Sequence, residues 1–429
     1  MKDILKSLMT NEIELSEDAR LYEAYGRLIS SSYPVFMNKL GLNKVAAKAQ
    51  GATITDSDGR IYIDCVGGYG LFNVGHNNPA IIQSLIEQLE EQQLYTKPLI
   101  SEIQVRMAEC LEKITPGNLA CSFILNSGSE AIECAIKLVR LHRGPKKIIT
   151  THQSFHGHTL GALSASGFPS FKRAFEPLLP GIISVPFGDI GAIEQSISAD
   201  TAAVLIEPIQ NEAGAVMPPE EYLKGIRDLC DQNNLIMILD EVKVGLGKTG
   251  RMFACEHYDV VPDILVLGKS LGGGLIPIGA VVARSHLWRR FSLSFPMSAS
   301  SYAGNVLACR AGLSTIRYIQ EGNLLSECAE KGKMFLRSFR DYVREYPDIL
   351  RSANGLGLLI GIETQSGKTA LELAKEMIRQ GIIMVPAFGN SSILMVEPPL
   401  VISFKQIRIV VDAFAAACAN INNANKKSG

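Results

Sequence analysis

Residues 235–243 read Leu-Ile-Met-Ile-Leu-Asp-Glu-Val-Lys, an apolar run that passes directly into charged residues. A run this continuously apolar is typical of a parallel β-strand, because such a strand is covered by helices on both faces. Asp240 stands at its end, where a buried carboxylate is costly unless it meets a positive partner. The stretch therefore predicts a core strand of a layered α/β fold, with a functional acid at its carboxyl end.

Similar apolar runs alternate with helical patterns along the chain, at Phe123–Leu125, Lys147–Ile149, Ala203–Ile206 and Ile264–Leu267. This alternation predicts an α/β fold with a mostly parallel central sheet. A β-hairpin over residues 52–63, which turns at Asp56–Gly59, and a helix from Pro79 to about Gln93 are predicted before the sheet.

The pattern changes after about residue 308, where long helical stretches lead into the apolar run Gly357–Glu363. This change predicts a smaller α+β domain over residues 308–429. Residues 71–307 are then the large domain, which would carry the functional site. Residues 1–70 are predicted to be an N-terminal segment that contributes to the small domain.

The composition excludes several classes of partner. Lys and Arg (42) nearly balance Asp and Glu (43) in the 429 residues, so no electrostatic footprint for nucleic acid or an anionic membrane is expected. No apolar run is long enough to span a bilayer. The nine cysteines are scattered without a CxxC or zinc spacing, which indicates free thiols in the cytoplasm and no metal site.

Polar residues follow the ends of several predicted strands, where functional groups of open parallel sheets gather. The first such segment is Asn126-Ser-Gly-Ser-Glu130, directly before a helical pattern. Gly128 permits close backbone approach, and the free N–H groups at a helix start bind phosphate. Serine and glycine also cap helices routinely, so both interpretations stay open.

Two further segments have equally open interpretations. Ser154-Phe-His-Gly-His158 offers an aromatic ring that stacks on a flat heterocycle or simply packs in the core. Glu207-Pro-Ile-Gln-Asn-Glu212 offers two carboxylates that orient a cation or belong to a solvated loop.

The segment Gly268-Lys-Ser-Leu-Gly-Gly-Gly274 ends the last predicted strand of the sheet. A lysine buried there loses its proton readily and forms an imine with a carbonyl group. A protonated pyridine nitrogen would be the positive partner that Asp240 needs, and it makes the ring an electron sink. A phosphate-binding P-loop is excluded, because the glycine that it requires before Gly268-Lys-Ser is absent.

The order of these groups, a phosphate segment, a stacking loop, an acid and a lysine, resembles the class III (subgroup II) aminotransferases, which use pyridoxal 5′-phosphate (PLP). The resemblance covers nearly the whole chain, through Gly51–Asp64, Asn73–Pro79, Pro180–Asp189, Gly250–Ala254 and Glu397–Leu400. Within the family the likeness is greatest to putrescine aminotransferases, and Cys65–Asn73 and Met252–His257 carry it.

The resemblance implies the type I PLP fold and a homodimer with active sites shared at the interface. It implies that Lys269 forms the Schiff base and then shuttles the proton, while Asp240 pairs with the pyridine nitrogen. Gly128 and Ser129 would hold the phosphate. The other implied positions are Phe155 and Val242 on the two ring faces, Ser301 of the partner subunit at the phosphate, Tyr69 in the substrate pocket, and Ser127, His156, Glu207 and Lys243 in the cofactor site.

The sequence departs from the family pattern at three places. Lys243 replaces the family's Gln near the cofactor's phenolic oxygen, where a positive charge favours the phenolate. Met395 stands in the substrate site at the place of an Arg that commonly binds a substrate carboxylate and otherwise pairs with the glutamate at position 212. We hypothesise that Glu212 instead binds Lys243, or a distal amine or hydroxyl of the substrate. Val306 replaces a proline in the interface loop.

The sequence therefore predicts an aminotransferase that moves an amino group from a primary amine to a small carbonyl acceptor. The amine would be a diamine, an omega-amino compound or a specialised-metabolite amine. The alternative is an aminomutase or racemase on the same scaffold, which needs no second carboxylate site. A non-catalytic binding module is disfavoured, because Lys269 and Asp240 are both present.

Overall fold

The computed structural model describes residues 16–92, 99–293 and 300–428. The N-terminal part consists of α1 (Glu17–Leu28), α2 (Ser32–Leu40), β1 (Ala46–Gln50), β2 (Thr53–Asp56) and β3 (Ile61–Asp64). The strands and helices that follow are α3 (Pro79–Glu91), α4 (Glu102–Ile114), β4 (Leu119–Leu125), α5 (Gly128–Arg143), β5 (Lys147–Thr151), α6 (Leu160–Ala165), β6 (Ile182–Val185), α7 (Ile190–Ser196), β7 (Thr201–Ile206), α8 (Tyr222–Gln232), β8 (Ile236–Asp240), β9 (Ile264–Leu267), β10 (Gly279–Arg284) and α9 (Ser285–Leu293). The C-terminal part contains α10 (Val306–Glu321), α11 (Leu324–Glu345), β11 (Leu350–Leu356), β12 (Leu359–Thr364), α12 (Gly367–Arg379), β13 (Ile382–Ile383), β14 (Val385–Pro386), β15 (Ile393–Val396) and α13 (Phe404–Ser428).

A seven-stranded sheet forms the centre of the molecule, with strand order β4-β10-β9-β8-β7-β5-β6. Only β10 runs antiparallel to its neighbours, and the other adjacent pairs are parallel. The predicted fold class is confirmed, and so are the five predicted strands. The sequence patterns missed β6 and β10. The sequence of β10 is rich in Gly and Ala, which are depleted in strands, so its local signal is weak.

The predicted parallel strands are buried because helices pack on both faces of the sheet. Every residue of β7, β8 and β9 is buried. Alternate residues of these strands pack into two different apolar clusters, one on each face: Val204 and Leu239 in the larger cluster, Leu205 and Ile238 in the smaller. This arrangement explains why the run at 235–239 has no polar residue.

Two smaller sheets flank the central one, with strand orders β1-β2-β3-β13 and β11-β12-β15-β14. The hairpin predicted over residues 52–63 is confirmed, with Thr53 opposite Ile63. The short strand β13 pairs in parallel with β3, so the N-terminal segment shares a sheet with the C-terminal third of the chain. The domain boundaries at residues 70 and 307 remain predictions, and residues 1–15 lie outside the described part of the chain.

The topology brings the ends of distant segments together. Strands β5, β7, β8 and β9 are parallel, and β4 runs in the same direction because β10 is antiparallel to both β4 and β9. Their carboxyl ends therefore meet at one edge of the sheet. In the described ranges, no helix is both long and apolar enough to cross a membrane.

Candidate active site

A cavity of about 480 Å³ opens at this edge of the sheet, a size that suits a small ligand. The predicted site residues that line it are Tyr69, Ser127, Gly128, Ser129, Phe155, His156, Glu207, Glu212, Asp240, Val242, Lys243 and Lys269. Gly157, His158 and Asn211 also line it and belong to segments that the sequence analysis singled out without assigning these three residues a role. Phe171 and Phe388 are lining residues that it did not select. The tertiary structure thus gathers strand ends that lie far apart in the sequence.

One end of the cavity is the beginning of α5. Ser127 caps this helix, because its Oγ accepts a hydrogen bond of 3.2 Å from the N–H of Glu130. A Cβ atom added to Gly128 would lie 2.8 Å from Cγ1 of Val242, so only glycine fits between the helix start and the end of β8. The free N–H groups of this 16-residue helix give the cavity a positive end that suits a phosphate.

Asp240 lies at the floor of the cavity with 5% of its surface exposed. Its Oδ1 accepts a hydrogen bond of 3.0 Å from the N–H of Val242, and its Oδ2 lies 2.7 Å from Nδ1 of His156. Nε2 of His156 is buried and has no hydrogen-bond partner among the described residues. The two contacts fix the orientation of the carboxylate and leave the cavity side open to a cationic partner.

Glu207 holds the loop that carries Phe155. Its Oε2 accepts a hydrogen bond of 2.9 Å from the N–H of Phe155, and its Oε1 accepts one of 3.0 Å from Nδ2 of Asn211. Burial raises the pKa of Glu207, and the nearby charge of His156 opposes this shift. Its contacts are those of a residue that positions Phe155 in the cavity wall.

Lys269 begins the turn that follows β9 and adopts a left-handed backbone conformation with φ of 46°. Burial lowers the pKa of its ammonium group, and the positive charge of Lys243 lowers it further. Glu212 and Glu397 oppose this shift. The net lowering favours the neutral amine, which is the form that attacks a carbonyl carbon.

Lys243 lies between two buried glutamates. Its Nζ is 3.2 Å from Oε1 of Glu212 and 3.1 Å from Oε2 of Glu397. Burial by itself would lower the pKa of Lys243, but the attraction of Glu397 and Glu212 outweighs it and raises the pKa. The hypothesised contact between Glu212 and Lys243 is thus present, and it involves Glu397, which the sequence analysis did not select.

A further lysine supports this cluster from the core. Lys248 is fully buried and donates hydrogen bonds of 3.3 and 3.0 Å to the carbonyl oxygens of Glu397 and Pro398. Burial lowers its pKa to about 8. Lys248 therefore fixes the backbone that carries Glu397 but does not line the cavity.

Aromatic rings form the remaining wall. The rings of Tyr69 and Phe388 lie 5.2 Å apart, and Phe155 packs edge-on against His158 and Phe171. Burial raises the pKa of Tyr69 to about 12, so its phenol stays protonated at neutral pH. The cavity thus combines a charged floor with an apolar wall.

The sequence model of the class III aminotransferases matches residues 37–418. This chain belongs to the class III aminotransferases. The ornithine aminotransferase of Toxoplasma gondii has the same fold, with 26% identity over 96% of this chain and 97% of that chain and a TM-score of 0.88. A second structure of that enzyme, at 28% identity over 89% and 92% of the chains with a TM-score of 0.82, is described as having partial PLP occupancy at its active site. The acetylornithine aminotransferase of Elizabethkingia anophelis is 28% identical over 88% and 94% of the chains, with a TM-score of 0.76.

The cofactor of this aminotransferase is PLP, and the residues of the cavity fit it. The space beside Gly128 and the start of α5 suits the phosphate, and Asp240 suits the ring nitrogen. Lys269 supplies an amine whose pKa is lowered. The family membership also confirms the prediction of a transaminase with small-molecule amine and carbonyl substrates.

Two predicted site residues lie away from the cavity. Met395 is 4% exposed and packs in an apolar cluster with Ile209, Val244 and Leu359, because an uncharged side chain is stable among such neighbours. Ser301 is exposed in its own chain and does not line this cavity. Its role at the phosphate of a partner subunit stays a prediction. Val306 begins α10, and the side chain of Asn305 caps that helix.

The residues that the sequence analysis missed have no strong local signal. Phe388 lies between β14 and β15, and Glu397 follows β15, so neither follows a strand of the central sheet. Asn211 and Phe171 are common loop and helix residues. A signal was available for Glu397, because a charged residue between an apolar strand and Pro398-Pro399 is unusual and needs a partner.

Proposed function

We propose that this aminotransferase takes the amino group from a primary amine whose distal end is cationic or polar, with a diamine as the best candidate. The amino group then passes to a carbonyl acceptor. The observation that supports this proposal is the cluster of Glu212, Lys243 and Glu397 at the cavity. It contains one cation and two carboxylates, so its excess charge is negative.

The charges around the cavity support the same proposal. None of the described residues that line it is an arginine. Lys243 lies 3.2 Å from Glu212 and is paired with both Glu212 and Glu397. A second substrate carboxylate would meet Glu212, whereas an ammonium or hydroxyl would find an acceptor there. The likeness of Cys65–Asn73 and Met252–His257 to putrescine aminotransferases also favours a diamine.

PLP supplies an electron sink that stabilises a carbanion at the substrate carbon. In the proposed reaction, Nζ of Lys269 first holds the cofactor and then carries the proton between two substrate positions as general acid and base. Asp240 would pair with the ring nitrogen and favour its protonated form, while His156 fixes the orientation of the carboxylate. Phe155 and Val242 would cover the two faces of the ring, and Gly128 and Ser129 would bind the phosphate.

We further propose that the enzyme is a cytoplasmic homodimer with active sites shared between the subunits. Ser301 of the partner subunit would then reach the phosphate. All nine cysteines are unpaired, which suits a reducing compartment.

The donor proposal is tested by single-turnover reactions of the holoenzyme with a four-carbon diamine, the monoamine of equal length and glutamate. We expect the diamine to convert the cofactor fastest. Glu212→Gln should lower kcat/KM for the diamine by about tenfold or more, because a hydrogen bond to a charged group is worth about 1.5–3 kcal/mol, and should change the monoamine little.

Glu327→Gln is the matched control, because Glu327 pairs with another buried lysine, Lys331, on helix α11. This variant should leave the donor preference unchanged. A strong preference for glutamate, with Glu212→Gln having no effect on the diamine, would contradict the proposal.

The alternative function is an aminomutase or racemase, which the absence of an arginine among the described residues that line the cavity also favours. The two functions differ in the product of the donor alone. A transaminase converts its bound cofactor stoichiometrically to the amine form and releases a carbonyl product. An aminomutase or racemase returns an isomer of the donor, which chiral chromatography or NMR detects.

A further inference from the structure

The segment between β3 and α3 contains four consecutive residues in the left-handed region, Gly67–Gly70, with φ between 57° and 91°. Three of them are glycines, which adopt this conformation freely, but Tyr69 is not. A non-glycine residue keeps such a conformation only where its surroundings enforce it, and such residues cluster at functional sites.

The turn lies against the reactive part of the cavity. A Cβ added to Gly70 would lie 3.2 Å from Cγ of Lys243 and 3.6 Å from Cδ of Lys269, so the backbone of Gly70 confines the stems of both lysines. A Cβ added to Gly67 would clash with the carbonyl oxygen of Glu397. A shift of this turn would therefore disturb both lysines as well as the ring of Tyr69.

A buried pair of side chains holds the turn at its base. Oδ1 of Asp64 accepts hydrogen bonds of 2.9 Å from the N–H groups of both Val66 and Gly67, while Oδ2 lies 2.8 Å from Nε2 of His76. Asp64 is 2% exposed and His76 is 7% exposed. The ring of His76 in turn packs on Phe72, with 4.0 Å between the centroids.

Two backbone hydrogen bonds connect the segment around the turn to the C-terminal part of the chain. The N–H of Glu397 donates to the carbonyl oxygen of Cys65, and the N–H of Leu400 donates to that of Asn73, both at 2.8 Å. The turn is thus held at both ends by the segment that carries Glu397. Among the described residues, Asp64 is the only one whose side chain accepts hydrogen bonds from the N–H groups of residues 66–72.

We infer that Asp64 and His76 are positioning residues of the active site. They fix the left-handed turn, so that the ring of Tyr69 faces the substrate space and the backbone of Gly70 confines Lys243 and Lys269. This inference rests on the proposed function only for its kinetic part, because the position of the turn is measurable without turnover.

Asp64→Ala is the test, and Asp56→Ala is its matched control. Asp56 is also buried in the same sheet, accepts hydrogen bonds from two backbone N–H groups and one side chain, and does not line the cavity. In Asp64→Ala, hydrogen exchange of the N–H groups of residues 66–72 should rise about tenfold or more, in apoenzyme and holoenzyme, because buried acceptors are lost. In Asp56→Ala the increase should be confined to residues 57–60.

The kinetic test uses the same pair of variants with the best amine donor. Asp64→Ala should lower kcat/KM about tenfold while the cofactor stays bound, and Asp56→Ala should lower it less than about twofold. In a Tyr69→Ala background the effect of Asp64→Ala should shrink, because Asp64 acts in part through Tyr69. His76→Phe keeps the packing on Phe72 and should show the same kinetic effects more weakly. If Asp64→Ala does not fold, His76→Phe takes its place in both tests.

Equal effects of the Asp64 and Asp56 variants on exchange at residues 66–72 would overturn the inference, and so would strictly additive kinetic effects with Tyr69→Ala. A wild-type enzyme whose cofactor no amine converts would refute the proposed function instead. The exchange measurement would still decide the role of Asp64 in that case.

Discussion

Two buried lysines end neighbouring strands of this aminotransferase, and they behave in opposite ways. Lys269 follows β9, Lys243 follows β8, and the stems of both pack against Gly70. The pKa of Lys269 is lowered, whereas that of Lys243 is raised. Burial acts on both in the same direction, so the difference comes from the partners of each ammonium group.

Those partners separate a reactive amine from a structural cation. Glu212 and Glu397 lie within ion-pair distance of Lys243. Lys269 has no salt bridge to a described residue, and the charge of Lys243 further disfavours its protonation. The glutamate pair keeps Lys243 charged, and that charge together with burial lowers the pKa of Lys269, although the two glutamates themselves oppose the lowering. The difference between Lys269 and Lys243 can be tested, because each lysine and each of its partners can be substituted separately.

The largest effect is expected for Lys269→Ala. We propose that the amine of Lys269 attaches the cofactor and carries the proton, so its removal should lower turnover by at least about 10²–10⁴-fold. The cofactor should remain bound without a covalent bond. Absorbance of the lysine-bound cofactor and steady-state kinetics measure the two effects. Loss of the band in Lys243→Gln but not in Lys269→Ala would reverse the assignment.

A smaller but still large effect is expected for Asp240→Ala. This change removes the carboxylate that we propose as the partner of the ring nitrogen, and it leaves His156 without its partner at 2.7 Å. Turnover should fall by about 10²-fold or more, since the charge that makes the ring an electron sink is no longer stabilised. PLP should also bind more weakly in equilibrium dialysis. Unchanged turnover would remove Asp240 from the mechanism.

Lys243→Gln should reduce stability more than a surface substitution does. It leaves Glu212 and Glu397 buried without their shared cation, and breaking a buried ion pair in this way costs about 3–5 kcal/mol. Denaturant unfolding of the holoenzyme measures the loss. A loss no larger than that of a surface substitution would mean that the two ion pairs contribute little to stability.

The subtlest prediction concerns the pH dependence of cofactor attachment to the apoenzyme. Attachment needs a neutral Lys269, so its rate should rise with pH and level off below the ordinary lysine value of 10.5. In Lys243→Gln the midpoint should move to higher pH, because the positive charge that lowers the pKa of Lys269 is gone. Glu212→Gln should move it to lower pH. Stopped-flow absorbance after mixing with PLP follows the reaction, and unshifted midpoints would show that the lysines are not coupled.

The contacts of Tyr69 and Glu397 with residues remote in the sequence were not predicted. Glu397 is paired with Lys243 across 154 positions of sequence, and Phe388 contacts Tyr69 across an even larger separation. No local pattern predicts such contacts, because they depend on how the small sheets pack beside the central one. Met395 illustrates the same point. Its position in β15 matched that of a substrate-binding residue, but its side chain packs into an apolar cluster.

The sequence by itself determined five of the seven strands of the central sheet and the polar residues that follow them, including Asp240 and Lys269. These are local signals, because a continuously apolar run marks a buried parallel strand, and parallel strands bring their ends to one edge. Only the tertiary structure decided the electrostatics of the site. Remote segments bring Glu212 and Glu397 to 3.2 and 3.1 Å from the ammonium group of Lys243, and no local run of sequence specifies those distances. The pKa of Lys269 depends in turn on its burial and on the charge of Lys243.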